Sequence, residues 1–567
     1  QYQRDDNGII PIENINNLYV FEDSIFNGYF EMISIYFDIN YKSKTIILLS
    51  DIDLSSNIGS QNINDDNNCI LLPPSWTIDG NSYSIDVNSR EWNGLVKTKT
   101  NNNGVTQEFC NIHNLNIINV NILSSCGGIL FYNSKYVNIN NCFVNISKNT
   151  NDKWGGIIGS ECSNINIYSC HVNGNISQKC GGIVAYDCNN INCTLSYSTG
   201  DIQEYAGGIL GPYCSDCTVK LCYSTGNIQE YAGGIAAGDF FESYVSEPNN
   251  LKEQQLTLQL TSELTTNDER KLNHFIECYA TGELSRYSGG ICGSLSGYYT
   301  KIKLDKCYFL GTYKSTSDYC GSGGIIGSHS GYNGSIEINN SYVKSTILGK
   351  GSGGIIGGYC GIHREFQNIT IVSYNNPTNL YNVTVNGCYF NGELNDDYVG
   401  GITGSHCVNV YINNCFSHSK ETNQKAAGII GSYKDDTDTT NIFNINVSNT
   451  SYTGNDPFFT WLSNPNDTKV HSKFIGGSFS KKINIILCFT EYHFFRDEDN
   501  NVDTVIDAFL SYTLSSIKID KKIINQLFQN EYIIEKMYPN TISNDYNVYL
   551  KHFNNSTNTL TIPWSKD

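Results

Sequence analysis

The tripeptide Gly-Gly-Ile returns along most of this 567-residue chain, and no other feature limits its fold as tightly. It stands at Gly127-Gly128-Ile129, Gly155-Gly156-Ile157, Gly181-Gly182-Ile183, Gly207-Gly208-Ile209 and Gly233-Gly234-Ile235, spaced by 26 to 28 residues. It comes back at Gly289, Gly323, Gly353 and Gly400, with Gly428-Ile429 and Gly476-Gly477 as weaker echoes. A unit of that size cannot bury its apolar face alone, so each copy must stack on the next. The chain reads as a solenoid. Length then says little about domain number, because a solenoid grows by addition.

Aligning the copies on a Cys-aromatic pair gives a common template: alternating apolar residues, Cys-Tyr/Phe, a Gly four residues after the Cys, then Gly-Gly-Ile. Val137, Ile139, Cys142 and Phe143 follow it, as do Val219, Cys222 and Tyr223, and later Val383, Val385, Cys388 and Tyr389. Period-two alternation closed by a glycine is a short strand and a corner, so each coil is built of bent strands and stacks at about 4.8 Å on its neighbour. Gly174, Gly200, Gly226, Gly282, Gly311 and Gly392 are expected at a corner whose backbone conformation is closed to other residues. The fold expected on these grounds is all-β, a parallel β-helix or β-solenoid.

The motif Cys278-Tyr279-Ala280-Thr281-Gly282-Glu283-Leu284, followed by Ser288-Gly289-Gly290-Ile291-Cys292-Gly293, resembles the GLUG repeat family. That family runs Cys-Tyr-Ala-Thr-Gly into Gly-Gly-Leu-Val-Gly. The segment before the repeats is similar too, with Ser50 to Leu54, Trp76, Asp79-Gly80-Asn81, Tyr83, Ile85, Asn93-Gly94-Leu95 and Ile112 to Leu115. The resemblance spans roughly residues 45 to 490. It implies a right-handed β-helix in large secreted surface proteins and adhesins, and it brings no catalytic residues. This chain departs from the pattern in using Ile for Leu, in its many cysteines and in an insertion.

The expected layout is an N-terminal cap and first strands over 1–90, solenoid repeats over 91–490, and a non-repeat C-terminal segment over 491–567. The insertion, 239–274, reads as a projecting loop with a helical piece around Leu251 to Leu256. In the tail, Ile523, Ile524, Leu527, Phe528, Ile533 and Ile534 suggest a helix ending near Pro539, giving an α/β tail that caps the coil or docks on a neighbour.

A formal charge of -19 argues against a nucleic-acid partner, which is bound largely by cationic neutralisation. No apolar run is long enough to span a bilayer. The start at Gln1 suggests a processed terminus, and the expected location is secreted or on a cell or virion surface. Asn-x-Ser/Thr sequons lie at Asn145, Asn175, Asn192, Asn333, Asn339, Asn368, Asn382, Asn446, Asn449, Asn466, Asn554 and Asn555, in a chain so rich in Asn that chance accounts for about that many.

The 21 cysteines follow the repeat. Cys142, Cys170, Cys222, Cys278, Cys307, Cys388 and Cys415 form one column, expected to point inward. Cys162, Cys188, Cys214, Cys360 and Cys407 form a second, seven residues after the first Gly of each pair. Cys193, Cys217 and Cys292 hold slots that other copies give to Ile, Val or Leu, so cysteine here replaces small core residues. Stacked neighbours in the second column would lie near disulfide reach, and both readings, core thiols and disulfides, stay open. Cys214-x-x-Cys217 has zinc-like spacing without a second pair. Asp497, Asp499, Asn501 and Asp503 alternate like a calcium loop but lack its Gly and closing Glu. No metal or other cofactor is expected.

Neither a His-Glu-x-x-His nor a Gly-x-Ser-x-Gly element occurs. A polysaccharide lyase or hydrolase would need convergent carboxylates. The candidates, Asp201 with Glu283 and Glu204 with Glu230, recur with the repeat, which suits surface decoration. Tyr205, Tyr231 and Tyr287 fall two residues before Gly-Gly and form either a structural stack or a platform for glycans. The expected function is therefore a non-enzymatic extracellular structural protein that assembles with itself into a fibre through its ends. A monomeric carbohydrate-binding adhesin is the second reading, and a polysaccharide lyase or hydrolase the third.

Overall fold

The computed structural model describes most of residues 25–453, the strands Ile483–Ile486 and Phe489–Thr490, and a few short strands near each terminus. The long stretches outside the described residues are 12–24, 55–67, 99–107, 239–270, 362–382, 432–444, 454–482 and most of 491–567, so the helices expected in the insertion and the tail both lie outside them. In the tail, the strands Ile517–Lys518, Phe553–Asn554 and Thr559–Leu560 form a small antiparallel sheet.

The chain winds as a parallel β-solenoid of about ten Gly-Gly coils. Two sheets of fifteen strands each run its length. In the first, Ile46, Ile78, Ile112, Ile139, Ile167, Cys193, Val219, Phe275, Leu304 and Ile338 pair in register and point inward, each at most 1% exposed. The parallel stacking is under way by Thr45–Leu48. Alternation alone fixes this, since a one-residue slip would turn the whole apolar column to solvent.

The third face is the Gly-Gly-Ile line, bridged from Gly127 through Gly155, Gly181, Gly207, Gly233, Gly289, Gly323 and Gly353 to Gly400 and Ala427. Close approach is what demands glycine here. A Cβ on Gly207 would land on the carbonyl oxygen of Leu210, and one on Gly208 on the carbonyl oxygen of Gly234 in the next coil. The Ile that follows is fully buried in every copy from Ile129 to Ile402.

Left-handed residues recur at set places in each coil, and the structure corrects where they lie. The residue just before the Cys column is left-handed in coil after coil, at Asn141, Ser169, Leu195, Leu221, Glu277, Lys306, Asn340, Gly387 and Asn414, with φ of 48–63°. A second left-handed position lies two residues before Gly-Gly, including Lys179, Tyr205, Tyr231, Tyr287 and Tyr398. A third lies six residues after the first Gly, including Glu161, Asp187, Tyr213, His329, Tyr359 and His406. Among the glycines expected to supply a special conformation, only Gly174 and Gly200 have positive φ, 123° and 145°. Gly226, Gly282, Gly311 and Gly392 are there for space, because a Cβ would strike the carbonyl oxygen of the preceding coil. Non-glycine left-handed residues cost of order 1 kcal/mol each, offset here by the ladders that fix every corner from both sides.

At the N-terminal end the stack is covered. Ile25, Phe26, Phe30, Ile33 and Phe37 are buried around the short helical turns Phe30–Ile33 and Ser34–Tyr36. The Phe26 and Phe37 rings meet at 5.2 Å, Phe30 meets Trp92 at 6.0 Å, and the Trp92 indole donates to the Gly128 carbonyl at 2.8 Å. The outermost strands are short: antiparallel Phe37–Asn40 in the first sheet and two-residue Ile52–Asp53 in the second.

Extra length enters mainly by one leg of the coil, between the Gly-Gly segment and the Cys column. That leg takes fifteen residues from Gly181 to Ser196, but forty-five from Gly233 to Cys278 and thirty-five from Gly353 to Cys388.

Candidate functional site

The second corner brings Tyr205, Tyr231 and Tyr287 together. Their rings stack at 4.8 Å and 9°, then at 5.0 Å and 27°, and all three are half-buried. Rings in that arrangement give their faces to each other and show solvent only edges and hydroxyls. The Arg286 guanidinium lies 4.5 Å from the Tyr287 ring centre and donates to its hydroxyl at 2.7 Å. The next two coils have Gly321 and Gly351 at this corner, and Tyr319 fills the room they leave: a Cβ on Gly351 would strike its ring. The Tyr319 hydroxyl pairs with Ser405 Oγ at 2.9 Å, and beside it His329, Tyr359 and His406 stack at 5.0 and 4.6 Å. Sequence reading missed Tyr319, since it sits off the repeat; the two glycines at a tyrosine corner were the available signal.

One residue earlier runs the column Gln178, Glu204, Glu230 and Arg286. Gln178 Nε2 donates to Glu204 Oε2 at 3.1 Å, and Arg286 Nε lies 3.8 Å from Glu230 Oε1. Burial, reinforced by Glu230, holds the Glu204 carboxyl above its usual range. Burial likewise raises the Tyr205 phenol, and with Glu230 pushes Tyr231 up to about 12, so both stay protonated donors at neutral pH. Asp201 and Glu283 belong to a different ladder. Asp201 N–H donates to Asn175 Oδ1, Asn227 N–H to Asp201 Oδ1, and Glu283 N–H to Asn227 Oδ1, at 3.1–3.2 Å. The Asp201 carboxylate is thus engaged along the axis of the coil, while Glu283 joins the ladder through its backbone N–H.

A longer aromatic column follows the cysteines: Phe143, His171, Tyr197, Tyr223, Tyr279 and Tyr308 stack at 4.5–5.1 Å, and Tyr342, Tyr389 and Phe416 at 5.1–5.2 Å. Burial lowers the His171 pKa.

Twenty of the cysteines are described, and all are buried. Cys142, Cys170, Cys222, Cys278, Cys307, Cys388 and Cys415 have no measurable exposure. In this column each thiol donates to a backbone carbonyl two residues back, as Cys222 does to Lys220 O at 3.3 Å and Cys415 to Asn413 O at 3.3 Å. Ser196 and Ser341 do the same from the same slot at 3.0 and 3.1 Å. Ser196 Oγ also accepts from the Cys170 N–H, and Ser341 Oγ from the Cys307 N–H. The slot asks for a small side chain that hydrogen-bonds, which is why Cys and Ser alternate in it. In the second column, Cys162, Cys188, Cys214, Cys360 and Cys407 donate to carbonyls of the preceding coil at 3.2–3.4 Å, and Ser296 and Ser330 occupy equivalent places. Burial holds the Cys188 thiol well above the usual range. Among the described residues no group of three or more His, Cys, Asp or Glu is placed to hold a metal ion, and the Asp497–Asp503 stretch lies outside them.

Of the sequons, Asn175 and Asn192 are exposed and Asn145 and Asn339 half-buried. Asn192 closes an outer amide ladder, Asn192 to Asn166 to Asn138 to Asn111, at 2.9–3.0 Å. Asn339 Nδ2 donates to both Asp305 and Glu337, at 2.9 and 2.7 Å. Asn446 and Asn554 lie in strands, and Asn333, Asn368, Asn382, Asn449, Asn466 and Asn555 lie outside the described residues. No described helix is long and apolar enough to cross a membrane.

No family model matches the chain, and no curated protein matches it. Among solved structures, it is similar to the A-module of the mannuronan C-5 epimerase AlgE6 of Azotobacter vinelandii, at 11% identity over 75% of this chain and 90% of that one, with a TM-score of 0.29. A likeness that shallow carries no argument about chemistry.

Proposed function

We propose that this chain is a non-catalytic structural rod, a GLUG-like repeat protein displayed outside a cell or on a virion, which holds a rigid length of polypeptide between its ends. One observation carries the reading: the candidate carboxylates Asp201, Glu204 and Glu230 are engaged with their column neighbours along the rod. Glu204 faces Gln178, Glu230 faces Arg286, and Asp201 accepts a backbone N–H from the next coil. Catalysis asks for groups converging on one point, whereas these repeat along a line. The adhesin reading is weaker for a related reason, since Tyr205, Tyr231 and Tyr287 turn their faces to each other and leave no ring face along the stack for a sugar. Fibre growth by sheet extension at both ends is disfavoured by the covered N-terminal end and its short outer strands.

The test is incubation of the full chain with neutral and acidic polysaccharides, followed by assays for new reducing ends and unsaturated uronates. Neither should appear above the blank. Turnover lost on substitution of Glu204 or Glu230 would overturn the reading in favour of an enzyme. Electron microscopy of native material should show short single rods, and filaments with an axial repeat would restore the end-joined fibre.

A further inference from the structure

Four Asn-x-Ser/Thr sequons have described side chains, at Asn145, Asn175, Asn192 and Asn339, and the stack uses their amides differently. An N-linked sugar replaces one of the two N–H groups on Nδ2 and leaves Oδ1 as an acceptor, so the bonds already made by the nitrogen decide what the modification costs. At Asn339 both N–H groups are spent, on Asp305 Oδ1 at 2.9 Å and on Glu337 Oε1 at 2.7 Å, and the residue is half-buried in the strand Ser335–Asn339. A sugar there must break a bond to a carboxylate, among the stronger hydrogen bonds a protein makes. Asn192 lies in the strand Asn189–Thr194, gives one N–H to Asn166 Oδ1 at 2.9 Å and has Thr218 in register on its other side. Asn145 is half-buried in Phe143–Ile146, in register with Asn173. Asn175 is the reverse of Asn339. It is exposed and outside the strands, directly after Gly174 with its φ of 123°. Its Oδ1 accepts the Asp201 N–H at 3.1 Å and so opens the ladder that runs on through Asn227 to Glu283, while its Nδ2 has no hydrogen bond among the described residues. The atom in use is the one that glycosylation keeps, and the idle atom is the one it consumes.

We propose that Asn175 is an N-glycosylation site, carrying an oligosaccharide on Nδ2 while Oδ1 stays in the ladder, and that Asn339 stays bare. The inference rests on the extracellular reading of the chain, since the co-reactant, a lipid-linked diphosphate oligosaccharide, is met on a secretory route. In the transfer the anomeric C–O bond of that donor breaks and a C–N bond to Asn175 Nδ2 forms. The lipid diphosphate leaves with the bonding electron pair, and the amide gives up one proton. Transfer acts on the chain before it folds, so the stack works as a filter on what has been attached. A glycan on Asn175 projects into solvent and costs the ladder nothing, because the Asp201 N–H keeps its acceptor. One on Asn339 competes with the Asp305 and Glu337 bonds that the folded strand makes, and such chains are depleted from the folded, exported protein.

The test secretes the full chain from a eukaryotic host behind a supplied signal peptide and releases its glycans with an amidase in heavy-oxygen water, which leaves a labelled Asp at each occupied position for mass spectrometry. Asn175 and Asn339 make a matched pair, since both sequons end in Ser. Asn175 should be occupied in most molecules, at least tenfold above Asn339, and Asn175→Gln should remove the mass of one glycan. A secreted chain bare at Asn175, or one with Asn175 and Asn339 occupied alike, would overturn the proposal, and both results are readable on the unsubstituted chain. Native material without glycan at any position would instead count against the extracellular reading, while the host-secreted chain would still decide the site.

Discussion

Cysteine does two different jobs in this core, and substitution to serine separates them. Cys222 lies in the slot that Ser196 and Ser341 also occupy, so Cys222→Ser should keep its bond to Lys220 O and cost less than about 1 kcal/mol. Cys193 stacks between Ile167 and Val219, where a hydroxyl is buried among apolar neighbours, and Cys193→Ser should cost about 1–3 kcal/mol. Paired urea midpoints would check the contrast; equal costs would mean that the two columns are chemically alike. Glu204 gives a pH test. Its carboxyl is easier to protonate folded than unfolded, so it favours the fold below its unfolded pKa and loses that contribution as pH rises through the folded one. Glu204→Gln should therefore be the more stable form at neutral pH, by less than about 0.5 kcal/mol after solvent screening, and the gap should close below about pH 4. A gap constant with pH would remove the carboxyl as its cause.

At the level of the coil, the tyrosine stack and the tight glycines should behave differently. Tyr231 has rings on both sides at 4.8 and 5.0 Å, so Tyr231→Ala should cost about 1–3 kcal/mol, while Tyr231→Phe, which keeps the stack, should cost under about 1. If Tyr231→Phe proved as costly as Tyr231→Ala, the phenol would outweigh the ring. Gly282→Ala drives a methyl into the carbonyl oxygen of Gly226 and should cost about 3 kcal/mol or more, read from the loss of the native β signal at lower urea. That glycine was plain in the sequence, but its reason was not. The spacing of Gly174 through Gly392 marks a corner region without saying whether φ or space requires the residue, because both demands select glycine. The true left-handed corners at Asn141, Ser169, Leu221, Glu277 and Lys306 follow no one residue type, so composition could not reveal them. Inward columns were legible because burial of a strand face leaves period-two alternation. Tyr319 was not, since it is a single departure from the repeat that only the stack makes meaningful.

The whole molecule is a stack covered at its N-terminal end, and that cover sets its expected solution behaviour. Phe30 and Trp92 join the short helical turns to the first coils. Trp92→Ala should cost about 3–5 kcal/mol, unsealing this end, and should produce concentration-dependent association that the parent chain lacks, visible by sedimentation velocity. A variant that stayed monomeric would show that some other part of the chain guards the end. The uneven leg between the Gly-Gly segment and the Cys column has a different consequence. Added sequence can follow either of two histories: duplicating a coil lengthens the rod, whereas widening this leg thickens one flank and leaves the register of every neighbour intact. A foreign peptide or small domain spliced into the same leg of another regular coil should likewise leave the coils on either side in register, so that payloads could be placed at chosen heights along the rod.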